Sequence, residues 1–183
     1  MTVLFLLFLA IFFSPITLFS QTILVEAEMG TSYAQYFLRH PLHSVKAVNN
    51  EVKFLIEYAP EQKKIIRAEA IAEVRKFNSG NSNRDSHAME VIEALKYPTV
   101  SFKSSEIKII NDDIEVTGLL NFHGQTRGIT MKGKIKREGD FLLVNGEFQI
   151  SLTEFKVKRP TLLFIPTDDI LKLYIFAKFK IPE

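Results

Sequence analysis

Three groups of residues in this 183-residue chain have the types that chemistry needs, and each fails on spacing. Asp85-Ser86-His87 supplies an acid, a hydroxyl and an imidazole. Contiguous residues at a helix start point away from one another, so they cannot hydrogen-bond in series as a nucleophilic triad must. A helix cap beside a surface histidine is the reading that remains. Ser105 and Lys108 resemble a serine–lysine pair, but on a strand positions three apart face opposite sides. His40 and His43 flank Pro41-Leu42 and could share a metal with His87 or His123. No Cys accompanies them and no ligand spacing is recognisable, so hydrogen bonding at strand ends is expected instead. Asp168-Asp169 reads as a turn before the last strand, and there is no phosphate-cradling Gly-rich loop. The sequence therefore points to no catalytic residue, no metal ligand and no enzyme.

Charge and composition narrow the classes further. Lys and Arg number 23 against 21 Asp and Glu, too even a balance for a nucleic-acid binder acting through bulk charge. Apolar residues make up 46%, which excludes a disordered chain. The lack of Cys excludes disulfides and iron–sulfur clusters, and 16 Phe with no Trp suggest a deep apolar interior. Lys132, Lys134 and Lys136 share one strand face; they read as a solvated outer surface or as a cationic rim for an anionic headgroup.

From Val3 to Phe13 eleven apolar residues run unbroken to Ser14-Pro15, a length that suits the core of a secretory signal. Cleavage is expected near Ser20, giving residues 1–20 as signal peptide and 21–183 as one exported domain, periplasmic or extracellular. An uncleaved anchor reaching Phe19 is the rival.

The elements that would position any site are mostly strands. Val52, Phe54, Ile56 and Tyr58 alternate along one face, and Ile66, Ala68, Ala70, Ala72 and Val74 do the same after a turn at 59–63, with mostly charged residues between them. Ala is a poor strand former, so three in a row on one face mean close packing or a border on open space. Alternation recurs over 99–110, 114–122, 129–136, 141–151 and 170–181. Gly118 and Gly133 inside strands suggest bends at barrel corners. Ser86 to Lys96 reads as the one helix, with Met89, Ile92 and Leu95 on its stripe, Ser82 or Asp85 as cap and Pro98 as stop. The result is an all-β domain, an antiparallel sandwich or barrel with a short helix beside it.

Two stretches then resemble a known family. Ser79-Gly80-Asn81-Ser82-Asn83-Arg84-Asp85-Ser86-His87 followed by Tyr97-Pro98 and Ser101-Phe102 is similar to the YceI-like family of lipid- and polyisoprenoid-binding proteins. Val116-Thr117-Gly118 with His123-Gly124 and Thr126-Arg127 fits the same family, as does the early His43-Ser44. The chain departs from the pattern in a divergent N-terminal strand and after Ser151, where it continues into Arg159-Pro160-Thr161-Leu162-Leu163-Phe164-Ile165-Pro166.

The resemblance implies an extended eight-stranded antiparallel, lipocalin-like barrel with one helix packed at its side and a linear lipid inside. An isoprenoid quinone or a polyprenyl phosphate is the ligand class, with no other cofactor, and transient membrane contact is expected. Alternation and bulk, rather than any family motif, select the lumen: Phe54, Ile56, Ala68, Ala70, Ala72, Phe102, Val116, Leu120, Phe122, Met131, Ile135, Phe148, Leu173, Ile175 and Phe179. Two alternatives stay open, a partner-binding or structural barrel packed shut and a metal or redox accessory protein.

Overall fold

The structure is a computed structural model that describes residues 21–182; the expected signal segment lies outside them. In chain order the strands are β1 (Ile23–Glu26), β2 (Tyr33–His40), β3 (His43–Asn49), β4 (Lys53–Ala59) and β5 (Lys64–Glu73). After helix α1 (Ser82–Val91) come β6 (Thr99–Ile110), β7 (Asp113–Phe122), β8 (Gln125–Glu138) and β9 (Phe141–Ser151). A small ribbon of β10 (Thr161–Leu162) and β11 (Ile165–Pro166) precedes the last strand, β12 (Ile170–Lys180). One antiparallel sheet runs in the order β1-β4-β5-β6-β7-β8-β9-β12-β2-β3.

The sheet curls until its ends meet. β12 is long enough to share its second edge: Leu171 to Phe176 pair with β2, and Phe179 bridges Ala27 just past β1. At the other margin Val48 of β3 exchanges both backbone hydrogen bonds with Asn78, at 3.0 and 2.9 Å. That sharing explains the difference from the eight strands expected. Before Glu51 the chain makes three strands rather than one, because two short elements together cover one long edge. The β2 face was readable, since Ala34, Leu38 and His40 are buried at period two.

Alternation sets the inward faces, and bulges flip it twice. Between Glu57 and Tyr58 the β4–β5 register shifts, so Ile65 turns inward and Ile66 outward, contrary to the face drawn from the sequence. The second shift lies at Ser104/Glu106, opposite Gly118. A Cβ on Gly118 would come within 2.6 Å of the Phe102 ring, so this glycine admits a close approach that tightens the bend.

The helix differs from the sequence reading at both ends. Its cap is Asn81, whose Oδ1 accepts from the Arg84 backbone N–H at 3.1 Å. Glu93 adopts a left-handed φ of 48°, and the helix ends at Val91, seven residues before Pro98. Leu95 consequently leaves the stripe and is fully exposed, while Met89 and Ile92 face inward.

Candidate functional site

Two clusters of buried side chains fill the barrel's ends. One gathers Ile114, Val116, Ile135, Leu142, Val144 and Ile181 near the β6–β7 and β8–β9 turns. The other gathers Leu38, Leu120, Phe122, Ile150, Leu152, Phe155 and Val157 near α1. Val100, Phe102 and Phe148 touch both clusters, and a cavity of about 240 Å3 lies there.

The hollow exists because one wall is made of small residues. Ala70 pairs across the sheet with Phe54 on one side and Phe102 on the other, and Ala68 stands opposite Ile56. The methyl groups of Ala68, Ala70 and Ala72 leave room that larger side chains would fill, between the bulkier Phe54 and Phe102. Although they point inward, Ala68, Ala70, Phe102, Phe148 and Ile175 are only half-buried. Side chains that face a core yet keep accessible surface border a space.

A lid covers the end beside α1. Ala88, Met89, Val91 and Ile92 of the helix reach the cavity, as do Leu152, Val157 and Pro160 of the loop after β9. Hydrogen bonds fix each piece. Asp85 accepts from the Ser79 hydroxyl at 2.5 Å and from its backbone N–H at 3.2 Å, while Arg84 Nε donates to Ser79 Oγ at 2.8 Å. Asp169 accepts from Ser151 Oγ at 2.5 Å and from the Thr153 backbone N–H at 2.9 Å. Burial works against that carboxylate's charge, but the donors from Ser151 and Thr153 outweigh it and hold its pKa below the usual aspartate value.

Few polar groups border the cavity. Tyr36 is one, and burial first, then the negative charge of Asp85, push its pKa up to about 12. The phenol is thus neutral at physiological pH and offers a hydrogen bond, with no charge. Glu69 also borders the space, but its carboxylate pairs with Lys103 at 3.3 Å. No nucleophile–base pair faces the interior, and no cluster of three metal-ligating side chains occurs among the described residues. An apolar molecule is what such a wall can hold.

Of the fifteen lumen residues expected from the sequence, fourteen line this cavity: Phe54, Ile56, Ala68, Ala70, Ala72, Phe102, Val116, Leu120, Phe122, Met131, Phe148, Leu173, Ile175 and Phe179. Ile135 faces inward too but lies in the packed far cluster, away from the cavity wall. The sequence reading missed Tyr36, Leu38, the helix residues and Val157 with Pro160. Tyr36 and Leu38 carried a signal in the β2 alternation; the lid loop carried none, because its residues follow no period.

The remaining polar groups have structural partners. His123 Nδ1 donates to the Phe155 carbonyl at 3.0 Å; its Nε2 lies 2.9 Å from a Glu93 carboxylate oxygen without hydrogen-bond alignment. His40 Nε2 donates to the Ile165 carbonyl at 2.9 Å, while its Nδ1 accepts from the Leu42 backbone N–H at 3.1 Å. His87 is exposed beside Glu90. Ser105 donates to the Thr117 carbonyl and Lys108 pairs with Glu106, so the two never meet as a catalytic pair. Lys132, Lys134 and Lys136 pair with Glu115, Asp113 and Glu138 on the outer face, which makes them a solvated surface rather than a cationic rim.

Comparison with known proteins agrees with this architecture. Among solved structures, BcnA from Burkholderia cenocepacia superposes with a TM-score of 0.74 at 16% identity, covering 83% of this chain and 98% of that one. A polyisoprenoid-binding domain from Saccharophagus degradans superposes with a TM-score of 0.67 at 10% identity, covering 86% of this chain and 98% of that one. Protein YceI of Escherichia coli is 31% identical over 65 residues, 34% of each chain, so the match spans about a third of that relative's length. A sequence model of the YceI-like domain matches residues 27–178, from just past β1 almost to the end of β12, and the chain therefore belongs to the YceI-like family.

Proposed function

We propose that this chain is an exported binding protein that carries a linear apolar lipid of the polyisoprenoid class in its barrel. The observation that carries the reading is the cavity between the two clusters, walled by the Ala row of β5 and closed by the lid. An apolar cavity of roughly 150 Å3 takes up benzene, and ligand pockets run from roughly 300 Å3 upward. At about 240 Å3, lined almost wholly by apolar side chains, this one has room for a segment of a lipid chain. Burial of such a chain yields roughly 25 cal/mol per Å2 of apolar surface, less the ordering of the ligand, so no charged anchor is required. The name of the Saccharophagus degradans neighbour supports the ligand class. The apolar run over 3–13 supports export to a periplasmic or extracellular space.

The test is native mass spectrometry of protein purified gently from its export compartment, with organic extraction of whatever is bound. We expect a near-stoichiometric isoprenoid mass, and N-terminal sequencing of the same sample should begin near Gln21. Ala70→Phe fills the space between Phe54 and Phe102 and should carry at least tenfold less lipid, while melting no lower than the parent. A clean apo mass together with no uptake of added polyprenyl lipid would overturn the reading in favour of a partner-binding barrel.

A further inference from the structure

The ribbon of β10 and β11 is built unlike the other hairpins of the molecule. Its two-residue turn is Leu163-Phe164, and both residues have positive φ, 51° and 65°. Such a turn favours Asn-Gly, and bulky side chains there are strained. The β7–β8 turn obeys the preference with His123-Gly124, and the β8–β9 turn with Gly139. At 163 and 164 the chain instead holds two large apolar side chains in strained backbone and points them into solvent. Phe164 is 99% exposed and Leu163 72%.

The surroundings extend this apolar tip. Leu162 and Ile165 are exposed beside it, and His40 ties Ile165 to the neighbouring β2–β3 tip, where Leu42 is exposed as well. Five outward apolar side chains on two adjoining tips form a patch with no partner among the described residues. The base, by contrast, is held firmly: Arg159 Nε donates to the Thr167 carbonyl at 2.8 Å, Arg159 Nη2 reaches the same oxygen, and the Thr167 N–H donates back to Pro160 at 2.8 Å. A rigid base under an apolar tip is suited to wedging rather than folding over.

Charge decides what the tip enters. Between Phe155 and Thr167 the chain carries Lys156, Lys158 and Arg159 and no acidic residue, with Glu154 and Asp168 bracketing the segment. An apolar tip on a segment whose own charges are all positive matches an anionic bilayer surface, where acyl chains take the tip and headgroups meet the cations. Val157 and Pro160 of the same segment line the cavity, so a docked tip brings the lid to the membrane.

We propose that Leu163-Phe164, with Leu42, Leu162 and Ile165, is a membrane-docking tip that inserts into anionic bilayers and aligns the cavity lid with the lipid surface. Its purpose rests on the lipid-carrier reading above, but the docking itself is separately testable. The chain has no Trp, so Phe164→Trp introduces a single Trp, excited at wavelengths where the Tyr residues do not absorb, at a fully exposed position. The full chain carrying it is mixed with phosphatidylcholine vesicles, with and without phosphatidylglycerol, containing brominated acyl chains. We expect a blue shift and quenching on the anionic vesicles. Adding Lys156→Glu and Lys158→Glu should raise the lipid needed for half-quenching at least tenfold. Ile110→Trp, exposed at the opposite end of the barrel, should stay unquenched.

Fluorescence from Phe164→Trp that stays water-like on both vesicles would overturn the proposal. So would equal quenching of both fluorophores, indifference to the charge reversals, or a concentration-dependent blue shift without vesicles, which would make the tip a contact between copies of the chain. Protein that carries lipid by mass spectrometry but fails this test keeps the carrier reading and loses the docking; protein that docks but carries no lipid does the reverse.

Discussion

The end of the barrel near the β6–β7 and β8–β9 turns and the end beneath α1 are both closed, but by different physics. At the far end Ile114, Ile135 and Leu142 come from strands and Ile181 directly follows β12; they belong to one cluster and are each less than a tenth exposed. Their backbone partners are other strands or tight turns, as where Ile135 N–H donates to Asp112 and Ile181 N–H to Asp140, both at 2.8 Å. At the near end closure is delegated to α1, which has no fully buried residue, and to the loop after β9, held by side-chain bonds to Asp169 and Arg159. The far end is closed by the strands and their turns; the near end sets a buried cluster around Phe155 beneath a helix and a loop that side-chain hydrogen bonds fasten. The side-chain bonds that hold α1 and the loop are exposed or only half-buried, which places these pieces among the parts of a fold that open first. An opening is what a cargo in a closed barrel requires.

The sharpest test of that contrast is at the far end. Ile135 lies in the packed cluster and away from the cavity wall. Ile135→Ala should cost about 2 to 5 kcal/mol of global stability through lost burial and a new void. Denaturant midpoints measure the loss, and lipid affinity at temperatures well below melting should hold within threefold. A large fall in affinity would mean that the two ends are not separate and would break the comparison.

How much of this was legible in the sequence follows from the same contrast. The strands that build the far cluster alternate strictly, so Val116, Met131 and Phe179 could be assigned inward from residue type alone. Alternation cannot see a bulge, and the shift at Glu57/Tyr58 therefore reversed Ile65 and Ile66. Nor can it tell depth along a strand: Ile135 and Met131 look alike in the sequence, and only the curl of the sheet separates the plug from the cavity. The near end obeys no period. The helix cap moved to Asn81 because three side chains, Ser79, Arg84 and Asp85, fix the preceding loop together. The lid residues Val157 and Pro160 reach the cavity through loop geometry that residue types do not encode.

At the near end the expected effects are smaller and local. Asn81→Ala removes the cap of α1 and should lower stability by about 1 kcal/mol. Amide exchange should report it first over 82–91, with strands β7 and β8 unchanged, and lipid exchange between protein and vesicles should become faster. If the whole barrel lost protection uniformly, α1 would be part of the core and not a lid.

The smallest effect is a pH dependence of the loop after β9. The hydrogen bonds from Ser151 and Thr153 favour ionised Asp169 in the folded protein, so its pKa there lies below the ordinary value of roughly 3.9. The unfolded chain therefore takes up this proton at higher pH than the folded one. The stabilisation is complete above the ordinary aspartate pKa and fades as pH falls from that value through the lowered one. Asp169 sits largely in reach of solvent, which screens the gain and confines it to the loop it ties. The protection of the Thr153 amide, which donates to Asp169, should fall relative to its neighbours as acid is added, and Asp169→Asn should remove that fall while lowering protection at neutral pH. Because Leu152 and Val157 lie in the same loop and touch the cavity, acid should also speed lipid release in the parent more than in Asp169→Asn. Equal acid response in the two proteins would mean that the lid is held by packing, as the far end is, and the difference between the ends would shrink to one of helix against strand.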